Sequence, residues 1–278
     1  MAAMLRKLLY LSFAQSHLTY ARIHFRSGGV ERNVLKQFFS ASRTGVLPVS
    51  VISAFIVLLC FACGTGAFAV QGPGHWTLES TLRQLDNEAR TFHSLTADME
   101  RTKVTVVVND KSTESGKIFV RRDDKMRIEI TTPDPKTILR SGNDLFLYNP
   151  KIKQVEEYDL GKHRALVDQF LLLGFGTSGS DLQKGYLVTM LGEEEVNKRQ
   201  VVKLELTPRS DEARKQVSKI HIWLDENTWL PDQQQVFETG SGDYFLIRFT
   251  NVVRNPKLSD NEFKQHWPKG ATRVKPQG

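Results

Sequence analysis

The side chains best equipped for chemistry are few and scattered in this 278-residue chain. Its two cysteines, Cys60 and Cys63, share one apolar run near the N-terminus. Beyond that run, His75, His93, His163, His221 and His266 form no i,i+4 pair and have no cysteine nearby. Zinc-type sites need such spacing, so no metal is expected. Gly174-Phe-Gly-Thr-Ser-Gly179 matches G-x-G-x-x-G, but a phosphate loop requires a strand before it and a helix opening after it. A helix-like run precedes it here, which makes it a flexible turn or a hinge. No Gly-x-Ser-x-Gly elbow appears, and Glu193-Glu194-Glu195 beside Gly192 reads as a hairpin turn rather than an acid/base pair. Arg121-Arg122 closes a strand-like run, where long cations ordinarily shield an edge. The chemistry left is burial: binding rather than catalysis, with no catalytic residue and no cofactor expected.

The N-terminal quarter reads as a leader. Val51 to Cys63 is compactly apolar, Arg43 precedes it and Ala67-Phe68-Ala69 follows. That is the anatomy of a cleaved secretory signal over residues 43–69, with residues 1–42 an extension or a misassigned start. The run is short of the roughly 20 residues that span a bilayer comfortably; a membrane anchor is the competing reading. Acylation of Cys63 is a third, and Cys60 three positions upstream fits it poorly. Residues 1–69 carry seven Lys or Arg against Glu31 alone, so six of the seven net positive charges lie there and the remainder holds one. The basic balance therefore gives no reason to expect nucleic-acid binding. Cleavage would leave residues 70–278 as one domain without cysteine, stable through its core alone.

The elements follow from hydrophobic periodicity. Leu78, Leu82, Leu85, Ala89, Phe92 and Leu95 recur at helical steps, so Thr77–Met99 reads as an amphipathic helix with Thr77 as N-cap. About ten β-like runs follow. They begin with Arg101–Val108, Gly116–Arg122 and Lys125–Thr132, and end with Gln233–Glu238 and Tyr244–Val253, with turn residues between them. His163–Leu173 switches to helical period. Several strands carry apolar residues on both faces, as in Phe119 beside Ile118 and Val120, or Trp223 between Ile222 and Leu224. Both faces then need cover. The expected fold is mainly β with few helices: an open antiparallel half-barrel with helices capping an apolar cavity. Phe119, Phe146, Phe170, Phe175 and Trp223 are its aromatic candidates, each alone more often core than contact.

Ser94-Leu-Thr-Ala-Asp-Met99, Ser115-Gly-Lys-Ile-Phe-Val-Arg-Arg122, Lys125-Met-Arg-Ile-Glu129, Pro133-x-Pro135 and Leu145-Phe-Leu-Tyr-Asn-Pro150 occur in an order that resembles the LolA family, periplasmic carriers of outer-membrane lipoproteins. Trp267-Pro268-Lys269-Gly270 near the end is also similar, and the likeness covers roughly residues 77–275. It implies a helix-capped half-barrel that shields lipoprotein acyl chains. It maps the acyl lining to Phe119, Ile128, Leu147 and Trp223, joined by Phe170, and a lid latch to Arg122. The family usually has proline after that arginine; Asp123 stands here. The implied partners are lipoprotein acyl chains, an inner-membrane releasing transporter and an outer-membrane receptor, with the carrier a periplasmic monomer. A lipid-sensing or regulatory module on the same half-barrel is the alternative, and an exported hydrolase, which no motif supports, is a third.

Overall fold

The computed structural model describes residues 75–276; the leader readings, including Cys60 and Cys63, lie outside them. Among the described residues the first element is α1 (Leu78–Thr91), opened by a capping box in which Thr77 and Ser80 satisfy each other's backbone N–H groups. It buries Leu82, Leu85 and Ala89. The helix is shorter than the sequence reading, which ran it to Met99. Phe92 is already extended, and Leu95, Ala97 and Met99 alternate inward along β1 (Ser94–Thr105). The helical spacing of Leu95 was a coincidence of two periods. Cations and an amide take the carbonyls left open at the helix end. Arg122 Nη1 donates to Ala89 O at 2.8 Å, Arg254 Nη2 to Glu88 O at 2.9 Å and Asn255 Nδ2 to Thr91 O at 2.9 Å.

From β1 the chain winds back and forth through β2 (Asp110–Arg121), β3 (Lys125–Thr132), β4 (Lys136–Ser141), β5 (Asp144–Asn149) and β6 (Gln154–Asp159). Two helices intervene, α2 (Arg164–Leu171) and α3 (Gly179–Gly185). Then come β7 (Tyr186–Val196), β8 (Arg199–Pro208), the single turn α4 (Asp211–Arg214), β9 (Val217–Asp225), β10 (Pro231–Glu238), β11 (Tyr244–Arg254) and β12 (Thr272–Val274). All twelve strands of the described residues join one open sheet in the order β12-β6-β5-β4-β3-β2-β1-β11-β10-β9-β8-β7. Every pairing is antiparallel except β12 on β6. That parallel strand was not visible in the sequence, because three residues carry no periodicity. Val106–Val108, read as strand, instead form the exposed tip of the β1–β2 turn. Glu193–Glu195 run within β7, and the turn falls at Asn197 and Lys198, both with positive φ.

Both faces of the sheet are covered. Inner-face side chains pack with α1, α2 and α3 in two clusters: one around Leu95, Ile118, Ile138 and Val167, the other around Leu85, Leu182, Leu204 and Ile222. On the outer face, the C-terminal segment lays Phe263 and Trp267 over Leu139, Phe146 and Val155. Arg121 and Lys125 pin that segment through Asp260, Lys125 Nζ lying 2.9 Å from its carboxylate.

Candidate functional site

Strand register builds the inner wall level by level. Nearest the helices, Leu95, Val120, Met126, Arg140, Leu145 and Tyr158 face one another in turn across β1 to β6. The next level is Ala97, Ile118, Ile128, Ile138 and Leu147. Below it stand Met99, Gly116, Ile130 and Lys136. Two-residue alternation thus turns β-branched side chains toward one space.

Helix α2 divides that space. Its Val167, Phe170 and Leu171 enter the hollow against the wall. Leu166, Gln169 and Leu172 face a wider cleft of about 950 Å³ between α2, α3 and the end of β2. The hollow left beneath α2 holds about 100 Å³, less than the roughly 150 Å³ that accommodates benzene. The side chains of α2 thus fill most of the space and cap the hollow as a lid.

The lid is held by charge as well as by packing. Arg140 on β4 is fully buried, and its guanidinium lies 2.7 Å from the Asp168 carboxylate on α2. Arg164, one turn earlier on α2, pairs with Asp124 in the β2–β3 turn, and Asp124 also lies 3.4 Å from Arg140. Burial pushes the Asp168 carboxyl up against the opposing pull of Arg140 and Arg164. Past α2, Gln234 Nε2 reaches from β10 to Leu173 O at 2.7 Å, and Tyr186 OH donates to Gln169 O at 2.9 Å. The segment Gly174–Gly179 links α2 to α3. Gly174 and Gly176 take φ values of 80° and 72°, which suit glycine. A Cβ on Gly176 would stand 2.3 Å from the Phe92 ring. These glycines turn the chain and seat Phe175 in the hollow; no strand precedes them, so they do not form a phosphate loop.

Of the residues singled out in the sequence, Ile128 and Phe170 line the hollow. Leu147 is buried in the same cluster, beside Ile138 on the wall. Phe119 and Trp223 do not face it. Phe119 points outward with Arg127 and Leu139, against the C-terminal segment. Trp223 lies under the Lys203 ammonium and donates its indole N–H to Glu194 on the outer face. Their inner neighbours Ile118 and Ile222 hold the inward positions. A one-residue register step reverses the face of a strand residue, and aromatic size does not set the register. Arg122 borders the cleft and holds the end of α1 rather than α2. Sequence reading missed Arg140 and Asp168, as well as Arg101, Glu114 and Lys136, which also line the hollow. The signal for Arg101 was present: after Leu95, Ala97 and Met99, the next inward position is a cation.

A family model described as "Outer membrane lipoprotein carrier protein LolA" matches residues 90–266. The chain is similar to the outer-membrane lipoprotein carrier protein of Dechloromonas aromatica, 24% identical over 68% of this chain and 84% of that protein. It is also similar to that of Cupriavidus taiwanensis, 24% identical over 78% of this chain and 98% of its relative. Among solved structures, it is similar to a LolA superfamily protein from Nitrosomonas europaea. That match has 15% identity and a TM-score of 0.38, covering 69% of this chain and 100% of that one. With its helix-lidded open sheet and a family match across most of that sheet, the chain belongs to the LolA family of outer membrane lipoprotein carrier proteins.

Proposed function

We propose that this protein is a non-enzymatic, monomeric periplasmic carrier. It takes lipoproteins from an inner-membrane releasing transporter, shields their acyl chains, and passes them to an outer-membrane receptor. Export is by the apolar leader, cleaved after Ala69. The observation that carries this reading is α2 itself, a short helix whose apolar side chains occupy a hollow that β-branched strand residues would otherwise leave open. Withdrawing Val167, Phe170 and Leu171 exposes an apolar wall to a ligand of the same character.

Each methylene removed from water contributes about 0.8 kcal/mol, so partial burial of a lipoprotein's chains is enough to keep it in solution. Release requires that the lid also have a stable place without cargo, and a ligand moves the lid only by its difference in affinity for the two positions. The ion pairs on Arg140 and Arg164 hold the closed position, and Arg122, by fixing the end of α1, frames the cleft through which cargo passes.

The reading is tested by incubating the purified protein with inner membranes carrying a triacylated lipoprotein and an energised releasing transporter. Lipoprotein should appear in the soluble fraction bound to this protein one to one. Lipoprotein that stays membrane-bound would contradict the carrier reading.

A further inference from the structure

The end of the sheet away from the lid's ion pairs is edged with apolar turns. Strands β1 to β6 are antiparallel neighbours in series. The β1–β2, β3–β4 and β5–β6 turns therefore share one end, and the β2–β3 turn, where Asp124 pairs with α2, lies at the other. The pairing of β1 with β11 ends at Val104, and that of β2 with β3 at Ser115, so residues 106–109 project past both neighbouring strands. At that tip Val106, Val107 and Val108 are 52%, 84% and 68% exposed. Ile152, in the β5–β6 turn, is 50% exposed. The other large apolar side chains exposed among the described residues, Leu187, Leu191 and Val253, lie on strands.

Closing the hairpin does not require valine. Tips ordinarily carry Gly, Asn, Asp or Ser, which suit turn geometry and face water. Here Asn109 takes the positive φ of the tip, 49°, and its N–H closes on Val106 O at 3.2 Å. Val106 N donates to Asp243 Oδ1 at 2.9 Å, and Asp243 is buried in the β10–β11 turn. The backbone thus ties the tip down while its three side chains stand outside. Backbone N–H groups already bonded within the protein can leave water at little cost, and β-branched side chains have few rotamers to lose on contact. Lysines accompany the apolar residues: Lys111 follows the tip, and Lys151 and Lys153 flank Ile152. Residues 106–111, 133–135 and 150–153 hold these three lysines against Asp110 and Asp134, a surplus of one positive charge after Lys151 pairs with Asp134.

We propose that this end of the sheet docks reversibly on a phospholipid bilayer. Val106, Val107, Val108 and Ile152 enter the interfacial layer, and the neighbouring lysines meet headgroup phosphates. Apolar side chains projecting from separate turns suit a fluid surface that closes around each of them, whereas a protein partner would need a matched pocket for every tip. Apolar residues with ammonium groups beside them are the arrangement by which proteins anchor at a lipid interface. The proposal stands apart from the acyl hollow, because it uses the turns at the opposite end from the lid's ion pairs. Its failure would leave the carrier reading intact.

The test is co-flotation of the purified protein with vesicles of phosphatidylcholine, with and without phosphatidylglycerol. The native protein should float with both and bind the phosphatidylglycerol vesicles more tightly, an advantage that salt removes. Val107→Ser should weaken binding to both about tenfold, the lower end of what burying a valine side chain contributes. A change at so exposed a side chain spares the fold. The double variant Lys111→Gln, Lys153→Gln should weaken binding to phosphatidylglycerol vesicles at least about fivefold and leave phosphatidylcholine binding unchanged. Native protein that floats with neither vesicle would overturn the proposal, as would Val107→Ser that floats as well as the native protein. An undiminished preference for phosphatidylglycerol in the lysine variant would also overturn it. Binding confined to native membranes, and abolished by protease treatment of those membranes, would place a protein on the tip instead and overturn it as well.

Discussion

Arg140 is the buried residue whose role the lid defines most sharply. A guanidinium removed from water needs its charge met on site, and the nearest carboxylate belongs to the lid helix. Arg140→Met should therefore weaken closure more than it weakens the sheet. We expect global stability to fall by about 1–3 kcal/mol, since Asp168 is only partly buried and can rehydrate, while uptake of a hydrophobic fluorescent dye rises clearly. Dye uptake matching the native protein would remove Arg140 from the lid. Arg122→Leu makes a different prediction: losing its bonds to Ala89 O and Phe92 O should lower stability by about 1–2 kcal/mol and alter lipoprotein transfer between membranes, and unchanged transfer would deny Arg122 a latch role. At this scale the sequence was legible where side chain and period agree, as at Ile128, whose inward position follows from simple alternation with Ile130. It misled at Phe119 and Trp223, where large aromatics lie on the outer face because the C-terminal segment and the Lys203–Glu194 pair cover them.

Among the elements, α2 and the C-terminal segment are the ones that tertiary context decides. Helix α2 is eight residues long, too short to persist without packing, so its stability is that of its contacts. Hydrogen exchange should be faster across Arg164–Leu171 than across β1 to β4, and an acyl ligand should change the α2 rates most. Equal protection of α2 and the central strands would argue against a mobile lid. The C-terminal segment has a pH signature. Arg121 and Lys125 hold the Asp260 carboxyl down, from 3.8 to about 2. A carboxylate with a depressed native value contributes stability that is present above its unfolded value and lost as pH falls through the native one. Docking of the segment should therefore loosen between about pH 4 and pH 2, read as a change in Trp267 fluorescence, and salt should weaken it because Asp260 is exposed. A Trp267 signal flat across that window would show that packing alone holds the segment. The length of α1 illustrates the same limit: Leu95 fits both the helical and the strand period, and only the extended Phe92 decides between them.

For the whole molecule, the half-barrel was legible because about ten alternating runs with few helices admit few architectures. The lid's position was not, since a short apolar helix between strands looks the same whether it plugs a hollow or merely packs on a sheet. The distinction lies in three-dimensional facts: the side chains of α2 fill a space bounded on its other sides by strands, and the ties that hold it are ion pairs as well as apolar packing. The most direct measurement is native mass spectrometry of the protein isolated from its own cell envelope. The account predicts a monomer carrying one acylated lipoprotein, with the lipoprotein lost when Val167, Phe170 or Ile138 is changed to aspartate in variants that still fold. A protein that emerges without acyl cargo, even when lipoprotein is abundant and the lid is loosened by Arg140→Met, would contradict it.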